Sequence, residues 1–195
     1  MRKNGYILRS DSCLVGANLA GCDMIGVTMH RTDLSGAILD GSIMYKARLD
    51  SCNLEFASLK SVSMEDSNLS GANFTRADLR EITLMHSKGK DTDFSHANIS
   101  ESNFRYVDFN GCKFYSANLS KSNLECATLY RADLRGANLA GSYLHNVNFV
   151  GADLRGADLR GSILTDANFR GADLRNAMLD GSSAAFADFG AARLT

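Results

Sequence analysis

Histidine and acidic side chains near the middle of the chain are the first candidates for chemistry. Of the four histidines, His86 and His96 flank Asp91 and Asp93 within an eleven-residue stretch. Imidazole nitrogens and carboxylate oxygens bind zinc, so a bulge in this segment could bring the four side chains together around a metal. Zinc sites need ligands that converge more closely than this spacing does. The sequence therefore favours solvated surface and predicts no metal site.

Three arginines form the second candidate. Arg135, Arg155 and Arg175 are twenty residues apart, and each follows an aspartate by two residues. In an extended chain, residues two apart share a face, so each arginine neutralises its own aspartate. Such exposed pairs contribute roughly 0–1 kcal/mol each. We interpret the arginines mainly as solvated surface. Together with Lys88 and Lys90, which flank a weak part of the pattern described below, they are also the candidate surface for a protein partner.

No other set of side chains satisfies the needs of catalysis. A nucleophile, a base and a group that orients the base must converge, and nothing in the sequence indicates such a set. We therefore predict that the protein is not an enzyme, has no catalytic residues and uses no cofactor.

The overall composition restricts the possible partners. The 195 residues carry 21 basic and 22 acidic side chains, a net charge of −1. Such a balance gives no electrostatic reason to expect nucleic acid or an anionic membrane as a partner. No apolar run approaches the length of a membrane-spanning helix. Residues Leu19 to Cys22 match a lipoprotein cleavage box, but the polar residues before them do not form an apolar signal segment.

The five cysteines indicate a reducing compartment. Their number is odd and none forms a Cys-x-x-Cys pair, so we predict free thiols in a cytoplasmic protein. Cys22, Cys52 and Cys112 occupy the small apolar positions of the pattern described next. Cys13 and Cys126 are predicted to face outward.

The elements that must position these side chains are units of five residues. From Leu14 to Leu194, 35 of 37 positions spaced by five are Leu, Phe, Met or Ile, and the exceptions are Gly89 and Ala184. The residue two before each is small, the residue between them is often Asn or Asp, and the residue two after is often Gly. The predicted core includes Leu34, Leu54, Phe74, Phe94, Phe114, Leu134, Leu154, Leu174, Ala132 and Ala152.

A period of five fits neither an α-helix nor a plain strand. The small and large residues, two apart, lie on one face of an extended segment, and the remaining residues turn the chain. Phe74, Phe94 and Phe114 are twenty residues apart, which indicates four units per coil with like residues stacked in columns. Coils stack about 4.8 Å apart.

The units resemble those of the pentapeptide-repeat family. Residues 132–141 read ADLRGANLAG and residues 152–161 read ADLRGADLRG. The resemblance covers roughly residues 12–195. It implies an all-β fold, a right-handed quadrilateral β-helix of about nine coils of 20 residues. We divide the chain into an N-terminal cap over residues 1–11 and a β-helix over residues 12–195, with an irregular coil near 85–93 where Gly89 replaces the large residue.

The C-terminal coil has no recognisable cap. Phe189 and Leu194, together with Phe186 or its neighbours, would leave an apolar end-face in water. An open backbone edge is a template for pairing with another chain. The sequence therefore predicts a homodimer through this coil, because a two-fold contact closes after one partner. The alternative is a monomer in which the last residues fold across the opening.

The predicted function is a bacterial, non-enzymatic, rigid scaffold that binds a protein partner of unknown identity, with no nucleic acid or membrane partner. The alternative implied by the resemblance is a DNA mimic that binds or protects a type II topoisomerase, DNA gyrase, as quinolone-resistance members of the family do. That mechanism requires an acidic surface, which a net charge of −1 does not favour.

Overall fold

The computed structural model describes residues 2–3 and 5–195. Strands β1 (Arg2–Lys3) and β2 (Tyr6–Ile7) form a short antiparallel hairpin. Leu8, directly after the hairpin, is buried, and Tyr6 packs against the same core. The N-terminal segment thus places apolar side chains against the first coil.

Single parallel bridges between residues twenty apart organise the remainder of the chain. They run without a break in phase from Cys13↔Asp33 to Asp173↔Arg193. Each coil therefore contains twenty residues, arranged as four five-residue sides. The phenylalanine columns stack accordingly, and the ring centroids of Phe94 lie 5.1 Å from those of both Phe74 and Phe114.

The large and small residues of each unit point into the coil and form one continuous core. Every residue of the predicted core set is at most 1% exposed. The aromatic rings stack at distances favourable for offset pairs. Burial of these repeated side chains removes their apolar area from water, which is the main stabilising contribution to such a fold.

The residue two after each large residue forms the corner. Its φ is positive at all 36 such positions between Gly16 and Ala191, of which 14 are glycine and 22 carry a side chain. The corner is closed by a turn hydrogen bond, as from the Ala17 N–H to the Leu14 carbonyl at 3.0 Å. A positive φ at the third residue of a turn favours glycine, which explains why glycine recurs there.

The Asn or Asp between the small and large residues caps the corner. The N–H of the residue directly after the large one has no backbone partner in the regular coil, and the side-chain oxygen two residues earlier accepts it. The Thr75 N–H donates to Asn73 Oδ1 and the Ala140 N–H to Asn138 Oδ1, both at 3.0 Å. The consensus Asn/Asp is therefore a local hydrogen-bond acceptor as well as an outward-facing residue.

Most small polar residues inside the coil also find hydrogen-bond partners. The Ser122 hydroxyl donates to the Ile99 carbonyl at 3.0 Å, and the Cys112 thiol contacts the Gly89 carbonyl at 2.7 Å. Each acceptor belongs to a large-residue position of the preceding coil. Such bonds allow Ser, Thr and Cys to replace Ala, although Ser42 Oγ is buried without a hydrogen-bond partner.

Residues 85–93 keep the regular backbone, so the predicted irregular coil is wrong. The Gly89 N–H donates to the Asp108 carbonyl at 2.8 Å, as at the equivalent position of every unit from Leu14 to Leu174. A Cβ atom placed on Gly89 would lie only 2.8 Å from Cδ1 of Phe109, one coil further on. The Phe109 ring thus occupies the volume that a large side chain at position 89 would fill, and no bulge is needed.

Candidate interaction surfaces

Each arginine of the predicted partner surface is bound to its own aspartate. Arg155 Nε donates to Asp153 Oδ1 at 2.8 Å and Nη2 to Oδ2 at 2.6 Å, and Arg135 and Arg175 make equivalent two-point contacts. The Arg175 hydrogen bond lowers the pKa of Asp173 to about 2. These pairs neutralise charge locally, as the sequence predicts.

Aromatic residues lie along the same corner as the arginines, with Tyr115 in the arginine column and Phe56 in the adjacent column. The Arg76 guanidinium lies 5.5 Å from the Phe56 ring centroid, the His96 and Tyr115 rings meet edge to face at 5.2 Å, and Arg135 lies 5.4 Å over Tyr115. Phe56 and Tyr115 are 57% and 43% exposed. We call these two adjacent columns the aromatic–arginine edge; its members are Phe56, Arg76, His96, Tyr115, Arg135, Arg155 and Arg175.

Lys88 and Lys90 lie in two different clefts, so the structure does not bring them together. Lys90 lines one cleft with Asp91, Asp108 and Arg131, in which two acidic and two basic side chains balance. Lys88 lines another, of about 310 Å³. We call this second cleft the basic cleft; its side chains include Lys46, Arg48, Asp66, Asn68, His86 and Lys88.

The histidine and aspartate candidates do not form a metal site. His86 stacks on Tyr106 at 5.0 Å, whereas His96 contacts Tyr115 at another corner. Within residues 2–3 and 5–195, no three or more His, Cys, Asp or Glu side chains converge in a way that could hold a metal ion.

The cysteines are all free thiols in the structure. Cys22, Cys52 and Cys112 are buried, while Cys13 is exposed and Cys126 is intermediate. Burial raises the pKa of Cys52 to about 12 and also raises that of Cys112. The buried thiols therefore act as small apolar side chains and not as nucleophiles.

The last coil has exposed apolar side chains. Leu194 is 52% exposed, and Phe189 is only partly buried, with one face stacked on Phe169 at 4.9 Å. Phe186 is not an inward residue, contrary to the prediction, because it occupies a corner with a φ of 60° and is 87% exposed. The prediction was wrong because Phe186 is close in sequence to Ala184, which occupies the inward position of that unit.

The sequence analysis did not identify several members of these surfaces. Phe56 and Tyr115 on the edge, and Lys46 and Arg48 in the cleft, are far from their partners along the chain. Counting in steps of twenty from Arg135 and Lys88 would have found Tyr115 and Arg48, because that step defines the columns, whereas Phe56 and Lys46 lie in the adjacent columns.

Among the residues that the structure describes, no helix is long and apolar enough to cross a membrane.

The fold and the repeated outward columns define a β-helix solenoid of five-residue repeats. The pentapeptide-repeat family model matches in eight copies over residues 10–44, 127–166 and 164–195, and the related pentapeptide repeat region model matches residues 57–139. The chain belongs to the pentapeptide-repeat family.

Solved structures with a similar fold include two repeat proteins. HetL, a pentapeptide-repeat protein involved in heterocyst differentiation regulation in the cyanobacterium Nostoc, is 25% identical; the match covers 94% of this chain and 90% of HetL, with a TM-score of 0.52. Full-length QnrB1, a plasmid-mediated fluoroquinolone resistance protein, is 18% identical over 96% of this chain and 92% of its own, with a TM-score of 0.50. A comparison with curated proteins finds no match.

Proposed function

We propose that the protein is a non-catalytic scaffold, a right-handed rod of about nine coils that binds a protein partner through the aromatic–arginine edge. At about 4.8 Å per coil the rod is on the order of 43 Å long. The observation that carries the proposal is the set of aromatic–cation contacts along one corner, in which Arg76 lies over Phe56 and Tyr115 contacts both His96 and Arg135.

The chemistry of this edge matches that of residues that dominate protein interfaces. Tyrosine and arginine are enriched among such residues, and they act best when fully desolvated by a partner. Here Tyr115 is held between His96 and Arg135, and an arginine such as Arg155 is hydrogen-bonded to its own aspartate. Side chains that are ordered before binding lose less conformational entropy on association. A rigid edge of this kind suits recognition of a protein surface.

Partner capture from the native cell, with the partner identified and its affinity measured, tests the proposal. We expect the double variant Phe56→Ser, Tyr115→Ser to lose the partner while it keeps the wild-type melting temperature, because both side chains are exposed. Tyr143→Ser is the matched control, since Tyr143 is 54% exposed on another side of the rod. Equal binding by the wild type and the double variant would refute the role of this edge.

The DNA-mimic alternative needs a continuous acidic surface that substitutes for phosphates. In this chain each aspartate of the 133, 153 and 173 column is bonded to an arginine, which interrupts that surface. The charge distribution therefore supports the protein scaffold over a gyrase-binding DNA mimic.

The exposed end of the C-terminal coil is proposed to pair with the same end of a second copy. In residues 176–195 of the described chain, the N–H groups of Leu179 and Phe189 have no intramolecular acceptor, and apolar side chains surround them. A two-fold contact would satisfy both features and close. Sedimentation equilibrium should show twice the 21.1 kDa chain mass. Phe189→Glu should give the monomer and Thr165→Glu should not; a wild-type monomer would exclude the dimer.

A further inference from the structure

The basic cleft has a regular construction that follows from the repeat. Arg48, Asn68 and Lys88 are bridged in register as successive residues of one side. Lys46, Asp66 and His86 are the corner residues two positions before them. The cleft is thus a grid of two columns and three coils, with the ends of each column about 9.6 Å apart.

The charge of this grid is strongly unbalanced. Three cations, Lys46, Arg48 and Lys88, face one carboxylate of the lining, that of Asp66, and Arg48 also lies 3.8 Å from Asp50 outside the cleft. The neighbouring cleft around Lys90 contains equal numbers of acidic and basic side chains. Because the whole chain has a net charge of −1, this local excess is not a reflection of overall composition.

The cations at positions 48 and 88 also break the local rule of the repeat. A side chain there normally accepts the N–H of the residue two further on, and lysine and arginine have no acceptor. Elsewhere a cation at this position has an acidic partner in the adjacent coil, as Lys113 has in Asp93 at 3.2 Å. Within residues 2–3 and 5–195, Lys88 has no acidic partner within ion-pair distance. Departures from a local rule without a compensating contact are expected at functional sites.

The remaining lining groups add donors and not acceptors. Asn68 Oδ1 already accepts the N–H and the hydroxyl of Ser70, at 3.2 and 2.8 Å, so its Nδ2 is the group available to a ligand. The His86 ring is held in place by stacking on Tyr106. The cleft therefore presents lysine, arginine and amide donors around a space that can hold a small anion.

We propose that the basic cleft binds a phosphate group of the monoester type, as free phosphate or as a phosphorylated side chain of a protein partner. Three cations suit a dianion with three terminal oxygens, because charge-assisted hydrogen bonds to such oxygens are short and strong. This proposal does not depend on the aromatic–arginine edge, because the two surfaces occupy different corners of the rod.

Calorimetric titration with inorganic phosphate at constant ionic strength tests the site, with chloride as the reference anion. We expect saturable binding to one site, and roughly ten-fold weaker binding for Lys88→Gln, from the loss of one hydrogen bond to a charged group. Lys121→Gln is the matched control, since Lys121 is an exposed lysine near Glu101 and lies outside the cleft. A phosphoserine peptide and its unphosphorylated form distinguish a partner side chain from the free ion.

A second variant tests the site through an expected gain in phosphate affinity. Asp66→Asn removes the only carboxylate of the cleft and places asparagine at a corner with a φ of 56°, a conformation that asparagine tolerates. Phosphate should then bind several-fold more tightly with no loss of stability. Unchanged phosphate affinity in both Asp66→Asn and Lys88→Gln, or binding of chloride as tight as that of phosphate, would overturn the proposal.

Discussion

The packing of Phe109 into the space beside Gly89 predicts a reversal in the effect of one substitution. In the wild type, Gly89→Ala would place a Cβ 2.8 and 2.9 Å from two ring carbons of Phe109. Overpacking of a core costs about 1–3 kcal/mol. The φ of Gly89 lies outside the left-handed region, so alanine alone would gain about 0.4–1 kcal/mol from a less flexible unfolded chain. The net expectation is destabilisation by about 1–2 kcal/mol.

The same substitution should stabilise the Phe109→Leu variant. Leucine withdraws the ring atoms that the new Cβ would meet, so the backbone gain remains and a buried methyl adds about 0.8 kcal/mol. Gly89→Ala should then stabilise by about 1–2 kcal/mol, a coupling of about 2–4 kcal/mol between the two sites.

Urea unfolding of the wild type, the two single variants and the double variant measures this coupling. The matched control is Phe149→Leu, because Phe149 lies in the same column three coils from Gly89, about 14 Å away. Effects at such distances normally add within about 0.5 kcal/mol. If Gly89→Ala changes the free energy of unfolding equally in the wild type and in Phe109→Leu, the explanation of the intact coil at 85–93 is wrong.

Other expected outcomes concern the core, the ion pairs and the thiols. Leu154→Asp should abolish cooperative thermal unfolding, because Leu154 is fully buried and an isolated charge there is too costly, whereas Arg155→Glu on the surface should hardly change the melting temperature. The folded pKa of Asp173, about 2, lies below the unfolded value, so its stabilising contribution is present above about pH 4 and lost as the pH falls towards 2; Asp173→Asn should show a shallower loss of stability in acid urea titrations. A thiol reagent at pH 8 should label Cys13 rapidly and Cys52 only after unfolding, and rapid labelling of Cys52 in the native protein would contradict its burial.

The sequence predicts the fold well because its physical signal is repeated. A large residue every fifth position and a phenylalanine every twentieth are enough to give the coil length and the inward set, including Leu134 and Leu154. The exception at Gly89 was interpreted as a local defect because a one-dimensional pattern does not show that Phe109 lies beside it. Compensation between neighbouring coils becomes visible only when the twenty-residue step is applied to individual residues.

The surfaces were harder to predict than the core for a related reason. Arg135, Arg155 and Arg175 share one residue type and are visible as a ladder. The basic cleft combines Lys46 and Lys88, 42 residues apart and at two different positions of the unit, and only the bridging register brings their columns side by side. Phe186 was misassigned because an apolar residue was expected to point inward, whereas the corner geometry directs it to solvent.

The bridging of each five-residue unit to the unit twenty positions away has a consequence for how such a chain can change in length. Loss or gain of five residues leaves the inward and outward pattern intact, so the molecule would still fold. All coils beyond that point would, however, be turned by one side, a quarter of the circumference. Every longitudinal surface would be cut at that coil, and its two halves would face different directions. Only changes of twenty residues preserve both folding and surface alignment, so insertions and deletions in whole coils are the natural unit by which this architecture can evolve or be engineered.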